Sequence, residues 1–243
     1  MDRIVRRSSR GQRSLAPVSV GAIAVLMAAA LLWAAWTTIQ RGRAESFADE
    51  VEIAQQEWIA TQRKTGALPD ITALRAATAA LELARRLDEI NPRYAELLGQ
   101  IYAAVAISGD VVKGFDARSL DYFAEAVVRR PSSPYAWANL AWAKYQAGQI
   151  DRVLMTALAQ AARLGPWEKE VQFVVVDLGF ALWAEIPPTL QTSVTTTAKN
   201  AQRHWPNEVA TIAEKRGRLA EVCGFEQTAA TTLCKMLADA GRA

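Results

Sequence analysis

The stretch Ala136–Asp151, AWANLAWAKYQAGQID, decides the fold class. Its apolar and small residues recur at helical spacing and Gly148 interrupts them, so we predict a helix over 134–147. The pattern then resumes at once, which predicts a second helix over 150–164 that stops at Gly165. Two helices joined by so short a turn form a helix pair.

Helix pairs continue on both sides of this stretch. No segment alternates apolar and polar residues as a half-buried strand would. The 47 alanines favour helix, and 13 glycines and 9 prolines are too few for a fold of many short strands. We therefore predict an all-α chain. The further predicted helices cover 44–64, 71–90, 92–107, 116–130, 167–185, 188–203, 207–222 and 226–240.

The helix pairs carry an internal repeat. Prolines recur at spacings of 39, 35 and 40 residues, each five positions after a small or apolar residue. A proline stop once per helix pair is typical of helical solenoids, whose pairs bury their apolar faces by stacking on their neighbours. The residues concerned are Leu87 with Pro92, Ala126 with Pro131, Ala161 with Pro166, and Ala201 with Pro206.

Within this repeat, residues 136–151 resemble the first helix of a tetratricopeptide repeat (TPR). Trp137, Leu140 and Ala141 match its W-x2-L-G/A core, in which the small residue lets two helices approach closely. The resemblance covers 71–206, with neighbouring units marked by Leu98, Gly99, Tyr102, Phe123 and Ala126 on one side and by Leu178, Gly179 and Ala201 on the other.

This resemblance implies a TPR-like array of helical hairpins whose first helices line a concave groove. It also implies that Trp137 and Leu140 point into the core. An alternative stays open, in which a neighbouring helix over 167–185 covers the aromatic side chains. The residues that the resemblance places on the groove are Tyr135, Ala138, Trp142, Tyr145 and Gln146, a candidate partner-binding surface because aromatic side chains often anchor interfaces.

The N-terminal segment predicts a membrane anchor. Residues 14–40 carry no charge, and their centre reads VSVGAIAVLMAAALLWAAW, close to the ~20 apolar residues that span a bilayer. Residues 1–13 hold five arginines and one aspartate, which places the N-terminus in the cytoplasm. A cleaved signal peptide is the alternative, although its apolar region usually has only about 7–15 residues. A second apolar run, Val171–Ile186, contains Asp177 and is better explained as a core helix.

The anchor and three motifs together are similar to the VpsP-type proteins, small accessory proteins of bacterial exopolysaccharide biosynthesis. The motifs are RRP-x3-YAWANLA at 129–141, ARLGPWE at 162–168 and DLGFALW at 177–183. The resemblance implies an inner-membrane location, with the C-terminal domain in the periplasm beside the polymerisation and export machinery. It supplies no catalytic residues to transfer. The predicted divisions are a basic tail (1–13), an anchor (14–40), a juxtamembrane helix and linker (41–70), a TPR-like domain (71–206) and a C-terminal helical hairpin (207–243).

Composition excludes several classes of function. Beyond residue 13 the chain has 23 basic and 24 acidic residues, so a basic nucleic-acid-binding surface is excluded. One histidine, His204, and two cysteines leave no set of zinc ligands or catalytic triad, and we expect no metal, cofactor or catalytic residue. We assign Asp110, Asp116 and Asp121 to loops and caps. Asp177 interrupts an apolar helix, where a carboxylate needs a partner, and we expect an arginine or lysine from a neighbouring pair.

Cys223 and Cys234 form a possible disulfide, which the periplasm permits. An unbroken helix over 207–222 that turns at Gly224 would place them ~12 Å apart, too far for a bond. A disulfide therefore requires that helix to end earlier, and Gly217 is a possible stop. Two small core residues are the alternative.

The sequence thus predicts a non-catalytic periplasmic scaffold for protein–protein interaction, anchored in the lipid bilayer through 14–40. Its partners would be other inner-membrane or periplasmic proteins, in exopolysaccharide assembly, and its oligomeric state is not predicted. Two alternatives remain. One is a structural subunit of another envelope complex, for secretion or division, and the other is an all-α enzyme acting on glycan, which would need two converging carboxylates.

Overall fold

The computed structural model describes residues 20–67, 69–108, 117–225 and 232–240. Over these residues it is helical with no strand, which confirms the all-α class. The chain divides into two compact units, Met1–Gly42 and Arg43–Ala243. The helices are α1 (Val20–Thr65), α2 (Ile71–Leu87), α3 (Pro92–Ser108), α4 (Ala117–Arg129), α5 (Pro134–Gln146), α6 (Arg152–Leu164), α7 (Lys169–Ala181), α8 (Pro188–His204), α9 (Pro206–Lys215), α10 (Leu219–Cys223) and α11 (Thr232–Ala240).

The first unit contains the apolar beginning of α1. Large apolar side chains stay exposed along this part, including Leu26, Leu32 and Trp33, and none of the most apolar stretch is buried. A helix that is apolar all round needs an apolar environment on every side. Over the described residues, this helix is long and apolar enough to cross a membrane. Residues 14–19 of the predicted anchor lie outside the described residues.

The second unit is a stack of helical hairpins. The antiparallel neighbours α3 and α4, α5 and α6, and α7 and α8 pack together, and each even-numbered helix from α2 to α8 also packs on the helix that follows it. Alternate helices meet as well, α5 with α7 and α7 with α9. Two groups of buried apolar side chains result, a larger one from α3 to α10 and a smaller one that joins α1 to α2 and α3.

Small residues at the helix crossings make this packing possible. A Cβ atom placed on Gly99 would lie 2.6 Å from the ring of Phe123, and one on Gly179 would collide with Val194. Ala141 occupies the corresponding place in α5 and is fully buried. The close approach of α3 to α4 and of α7 to α8 therefore depends on the absence of a side chain.

Glycines with positive φ end three of the described helices. Gly66 follows α1 with a φ of +72°, and Gly148 and Gly217 have φ values of +68° each, a conformation that favours glycine. After α9, the amide of Arg218 donates to the carbonyl of Ala213 at 2.7 Å and that of Gly217 to Glu214 at 3.0 Å, the Schellman pattern. Gly148 ends α5 in the same way.

The predicted helix over 207–222 is therefore wrong, because the Gly217 turn divides it into α9 and the short α10. The helix predicted over 167–185 ends earlier, at Ala181, and Leu182 and Ile186 are buried in the turns that follow. The predicted buried helix in the second apolar run is confirmed, since Val175 and Val176 are fully buried. Of the helix predicted over 226–240, residues 226–231 lie outside the described residues.

Candidate functional site

An open groove of about 380 Å³ lies in the second unit where α5, α7 and α9 meet. These alternate helices each turn one face toward it, as stacking of hairpins requires. We call it the C-terminal groove, and its lining residues are Trp142, Phe173, Val174, Asp177, Thr211, Ile212 and Lys215.

Aromatic rings form the walls of the groove and are held by their neighbours. Trp142 is half-buried, and its ring centroid lies 6.3 Å from that of Tyr145. Phe173 meets Trp205 edge to face at 5.8 Å. The ammonium of Lys169 lies 5.5 Å from the centroids of both of these rings, within cation–π range. Rings fixed in this way present a preformed apolar surface.

A buried ion pair closes one side of the groove. Arg216 follows α9 and donates two hydrogen bonds of 2.8 Å to the carboxylate of Asp177 on α7. The exposed fractions of the two side chains are 17% and 13%. Arg216 also donates to the hydroxyl of Tyr145 at 3.4 Å, which links α5 to the same pair. Donation of these hydrogen bonds to the carboxylate of Asp177 raises the pKa of Arg216 above its ordinary value. Arg216 is thus the partner that the sequence required for Asp177.

Lys215 adds a positive charge to the rim. Its side chain is exposed, and within the described part of the chain that side chain makes no ion pair or hydrogen bond. Because Asp177 is already neutralised by Arg216, an occupant of the groove would meet apolar rings and one available cation.

The structure brings some of the predicted groove residues together and separates others. Trp142 lines the groove and Tyr145 lies beside it, while Gln146 is exposed at the end of α5. Tyr135 is at the other end of α5, where its hydroxyl donates to Glu168 at 2.5 Å and its pKa rises to about 12 because of that hydrogen bond. The placement of Ala138 on the groove surface is wrong, because it is packed between helices and is 3% exposed.

Of the two residues of α5 that were predicted to point into the core, one is buried and the other is only half-buried. Leu140 is buried at 5% exposure. Trp137 packs against the core but is only half-buried, and its indole N–H donates to the carbonyl of Pro131 at 2.8 Å. Trp142 and Phe173 of the neighbouring helix α7 both line the groove, and Trp142 is half-buried, so its ring is neither fully free nor fully enclosed.

From the sequence, the helix over 167–185 was expected only as a cover for the aromatic side chains of α5, and the contributions of α7 and α9 to the groove walls were missed. The repeat register gives no signal for Phe173, because it pairs Phe173 with Tyr135, which does not line the groove. The same register pairs Trp142 with Phe180, which is buried. Ile212 and Lys215 had no signal either, because the helix that contains them was not divided into the correct two segments.

A second cleft, of about 310 Å³, lies between α1 and α3 and is polar. Arg93 dominates it, with hydrogen bonds to Glu45 at 2.6 Å, to Asp49 at 2.8 Å and to Glu52. Its lining residues, which define what we call the N-terminal cleft, are Glu52, Gln55, Gln56, Ile59, Arg93, Glu96, Leu97 and Gln100.

Residues considered for catalysis do not converge in the part of the chain that the structure describes. There, no group of three or more His, Cys, Asp or Glu residues could hold a metal ion. Asp121 is exposed on α4, and Asp110 and Asp116 lie outside the described residues. His204 is the last residue of α8, where a basic residue suits the helix dipole, and it packs beside Trp205.

The two cysteines are joined by a disulfide in the structure. The Cα atoms of Cys223 and Cys234 are 5.5 Å apart. The early end of α9 at the Gly217 turn supplies the geometry that the sequence argument required, because the short α10 redirects the chain. The bond ties α11 to α10 at the end of the array.

Comparison with known proteins gives no further information on identity. No model of a known protein family matches the chain, and no match was found among curated proteins.

Proposed function

We propose that this chain is a membrane-anchored scaffold of the bacterial periplasm whose C-terminal groove binds a segment of another envelope protein. The observation that carries the proposal is the groove itself, with aromatic and aliphatic walls contributed by three alternate helices. Buried aromatic anchors supply much of the binding energy at protein interfaces. The setting that we propose is exopolysaccharide biosynthesis or export.

A TPR-like architecture is part of this proposal. Its support is the small residue at each hairpin crossing, Gly99 against Phe123 and Gly179 against Val194, with fully buried Ala141 between these units. The contacts of α5 with α7 and of α7 with α9 are those expected when the first helices of successive hairpins line one face.

A binding role fits the chemistry of the groove better than a catalytic one. Asp177 is the one carboxylate among the lining residues, and both of its oxygens accept hydrogen bonds from Arg216. Glycoside hydrolysis needs two carboxylates placed on either side of the sugar. The lining residues therefore offer a surface for recognition and no acid–base pair.

The membrane anchor supports the localisation that we propose. The α1 helix is long and apolar enough to span a bilayer, and the arginines of residues 1–13 favour a cytoplasmic N-terminus. A reporter fused after Ala243 should then be active only if it functions in the periplasm. Activity of a reporter that works only in the cytoplasm would contradict the topology.

The binding proposal can be tested by filling the groove. Thr211 lines it, is exposed, and donates its hydroxyl to the carbonyl of Asn207 at 2.9 Å. Thr211→Trp in the full-length protein should occupy the space of the partner and leave the thermal midpoint nearly unchanged. Proteins that co-purify from native membranes with the unaltered chain should be lost from this variant.

Thr196→Trp is the matched control. Thr196 is exposed on α8 and donates to the carbonyl of Thr192 at the same distance of 2.9 Å, but it does not line the groove. It should retain every partner. Equal retention by both variants would contradict the groove proposal. The identity of the protein that only Thr211→Trp loses would separate exopolysaccharide assembly from a secretion or division complex.

A further inference from the structure

One edge of the second unit collects the loops that join α2 to α3, α4 to α5, α6 to α7 and α8 to α9. Contacts link these loops in order along the edge. Arg129 at the end of α4 donates to the backbone carbonyl of Glu89, Tyr135 donates to Glu168, and Lys169 pairs with Glu208 at 3.8 Å. We call this the proline edge, because Pro131 and Pro166 lie in its loops and Pro92 and Pro206 begin the helices that follow them.

The second unit also begins at the proline edge. Glu45 accepts hydrogen bonds from Asn91 at 2.7 Å and from Arg93 at 2.6 Å, and both donors lie where α3 starts. Tyr94 donates to the same carboxylate at 3.1 Å. The proline edge is therefore the part of this unit nearest in sequence to the apolar span.

Large apolar side chains project from this edge without cover. Ile90, Val128 and Trp167 are 75%, 79% and 69% exposed, and they come from three successive loops or helix ends. Scattered apolar residues are ordinary on protein surfaces. Three large apolar side chains in a row on one edge indicate a specific partner, and one of them has an indole ring that favours the membrane interface.

Basic residues accompany the apolar ones. Each even-numbered helix from α2 to α8 ends at this edge with an arginine in its last turn. The helix dipole accounts for that position. It does not account for the exposed apolar side chains beside them. Glu89 and Glu168 on the same edge moderate the charge, and Glu125 pairs with both Arg85 and Arg129. The arginines in question are Arg85, Arg86, Arg129, Arg163 and Arg203.

The length of the chain limits how far this edge can be from a bilayer. The uncharged segment ends at Gln40, five residues before Glu45. Five residues span at most about 18 Å even when fully extended. If the anchor crosses the membrane, the start of the proline edge remains within that distance of the point where the anchor leaves the bilayer.

We propose that the proline edge is a membrane-contacting surface whose side chains Ile90, Val128 and Trp167 enter the headgroup region of the bilayer that the anchor spans. The chemistry fits a lipid surface, with apolar tips for the acyl boundary and the exposed Arg86, Arg163 and Arg203 for phosphate groups. This inference rests on the membrane anchoring in the proposed function and is independent of what the C-terminal groove binds.

The test uses the full-length protein with a single new thiol. The variants are Ile90→Cys, Val128→Cys and Trp167→Cys, each labelled without reduction so that the Cys223–Cys234 disulfide stays closed. Each is labelled with an environment-sensitive fluorophore and reconstituted into phosphatidylethanolamine–phosphatidylglycerol nanodiscs that contain nitroxide lipids. The emission should shift to the blue, and nitroxides at a shallow position should quench it more than deep ones, because interfacial insertion reaches of order 5–10 Å.

Two matched controls lie on the opposite edge of the unit. Ile150 and Val153 are also exposed apolar residues, at 46% and 50%, but they flank the turn between α5 and α6. Ile150→Cys and Val153→Cys should show neither the shift nor the quenching. Equal quenching at both edges, or none at the proline edge, would overturn the proposal. A blue shift without quenching would indicate a protein contact and would overturn it as well.

A label in the anchor distinguishes a failure of the membrane-contacting surface from a failure of the membrane anchoring. Leu31 is exposed on α1 within the apolar stretch, and a label at Leu31→Cys should be quenched most by the deep nitroxides. Quenching at Leu31 without quenching at the proline edge would reject the membrane-contacting surface alone. Absence of quenching at Leu31 would reject the anchoring, and the membrane-contacting surface with it.

Discussion

The two clefts of the second unit have similar volumes, about 380 and 310 Å³, but opposite chemistry. In the N-terminal cleft, Arg93 is engaged by three carboxylates of α1, and Gln55 donates to Gln100 at 2.7 Å. In the C-terminal groove, one buried ion pair leaves aromatic walls open. The packing of helices thus produces both clefts. The side chains that line a cleft determine whether they pair with one another, as around Arg93, or present an apolar surface to a partner.

We expect the largest difference between the clefts in the free energy of unfolding that is lost when one residue of an ion pair is replaced. Asp177→Ala leaves Arg216 buried without its carboxylate, and we expect the free energy of unfolding to fall by about 3–5 kcal/mol. Denaturant unfolding of the full-length protein in detergent, followed by circular dichroism, measures it. The double variant Asp177→Leu with Arg216→Met should recover most of the loss, because apolar residues of similar size replace a buried pair at little cost.

Arg93→Met is the comparison in the N-terminal cleft. The side chain of Arg93 is 34% exposed and those of its three partners 41% to 60%. Exposed ion pairs contribute about 0–1 kcal/mol and are weakened by salt, so the loss should be small and should shrink as ionic strength rises. A larger loss for Arg93→Met than for Asp177→Ala would reverse our assignment of the two clefts.

The disulfide should give the next largest effect. Replacing Cys223 and Cys234 together by Ser should cost about 2–3 kcal/mol, because the bond closes a short loop in the unfolded chain. Hydrogen exchange should quicken in α10 and α11 and stay unchanged in α3 and α4. Thiol alkylation of the unreduced, denatured protein should modify neither cysteine, and modification of both would exclude the bridge.

A smaller effect is expected at the helix crossings beside the groove. Gly179→Ala inserts a methyl group into the space of Val194, and overpacking of this kind costs about 1–3 kcal/mol. Adding Val194→Ala should relieve part of that loss. Gly42→Ala is the matched control, because outside the adjoining residues and backbone of its own helix no described atom lies within 4 Å of the new Cβ. Alanine there should stabilise α1 by up to about 1 kcal/mol. A neutral Gly179→Ala would show that α7 and α8 are not in close contact.

The smallest effect is a dependence of the free energy of unfolding on pH, which comes from Glu96 in the N-terminal cleft. Burial raises the pKa of Glu96, and Arg130 and the hydrogen bond from Asn139 oppose this only in part. A raised pKa means that the folded state holds the proton more tightly, so this contribution to stability is present at low pH and is lost as pH rises above about 4.

Glu96→Gln should remove that dependence and be as stable as the wild type, or slightly more stable, at pH 7. Glu57→Gln, at an exposed position of α1, is the control and should leave the pH profile unchanged. Thermal unfolding from pH 4 to 8 compares the three proteins. A loss of stability at pH 7 in Glu96→Gln alone would show that the charged form is favoured in the cleft.

Much of the fold follows from local signals in the sequence. Apolar periodicity and the prolines located α3 to α8 to within a few residues, and the position of Asp177 inside the apolar run of α7 predicted a cationic partner. The end of α9 could not be fixed from the sequence, where Gly217 was only a possible stop, because Arg218–Val222 has helical character. The left-handed conformation of Gly217 shows that the chain turns there.

The groove could not be predicted from the sequence of a single repeat, because its walls come from three helices. Trp142 was found from its own helix, but whether it is covered depends on α7 and α9, which lie more than 30 residues away. Ala138 was misplaced for the same reason, since the register of one helix does not reveal how closely the next will pack.

Site-specific photo-crosslinking in intact cells tests whether the C-terminal groove binds another envelope protein. A photoreactive amino acid is placed at Thr211 in the C-terminal groove, at Gln56 in the N-terminal cleft, and at Thr196 on the outer face of α8; all three positions are exposed. Our account predicts a discrete adduct with another envelope protein from position 211 and none from positions 56 and 196. No adduct at 211, or an equal adduct at 56, would contradict it.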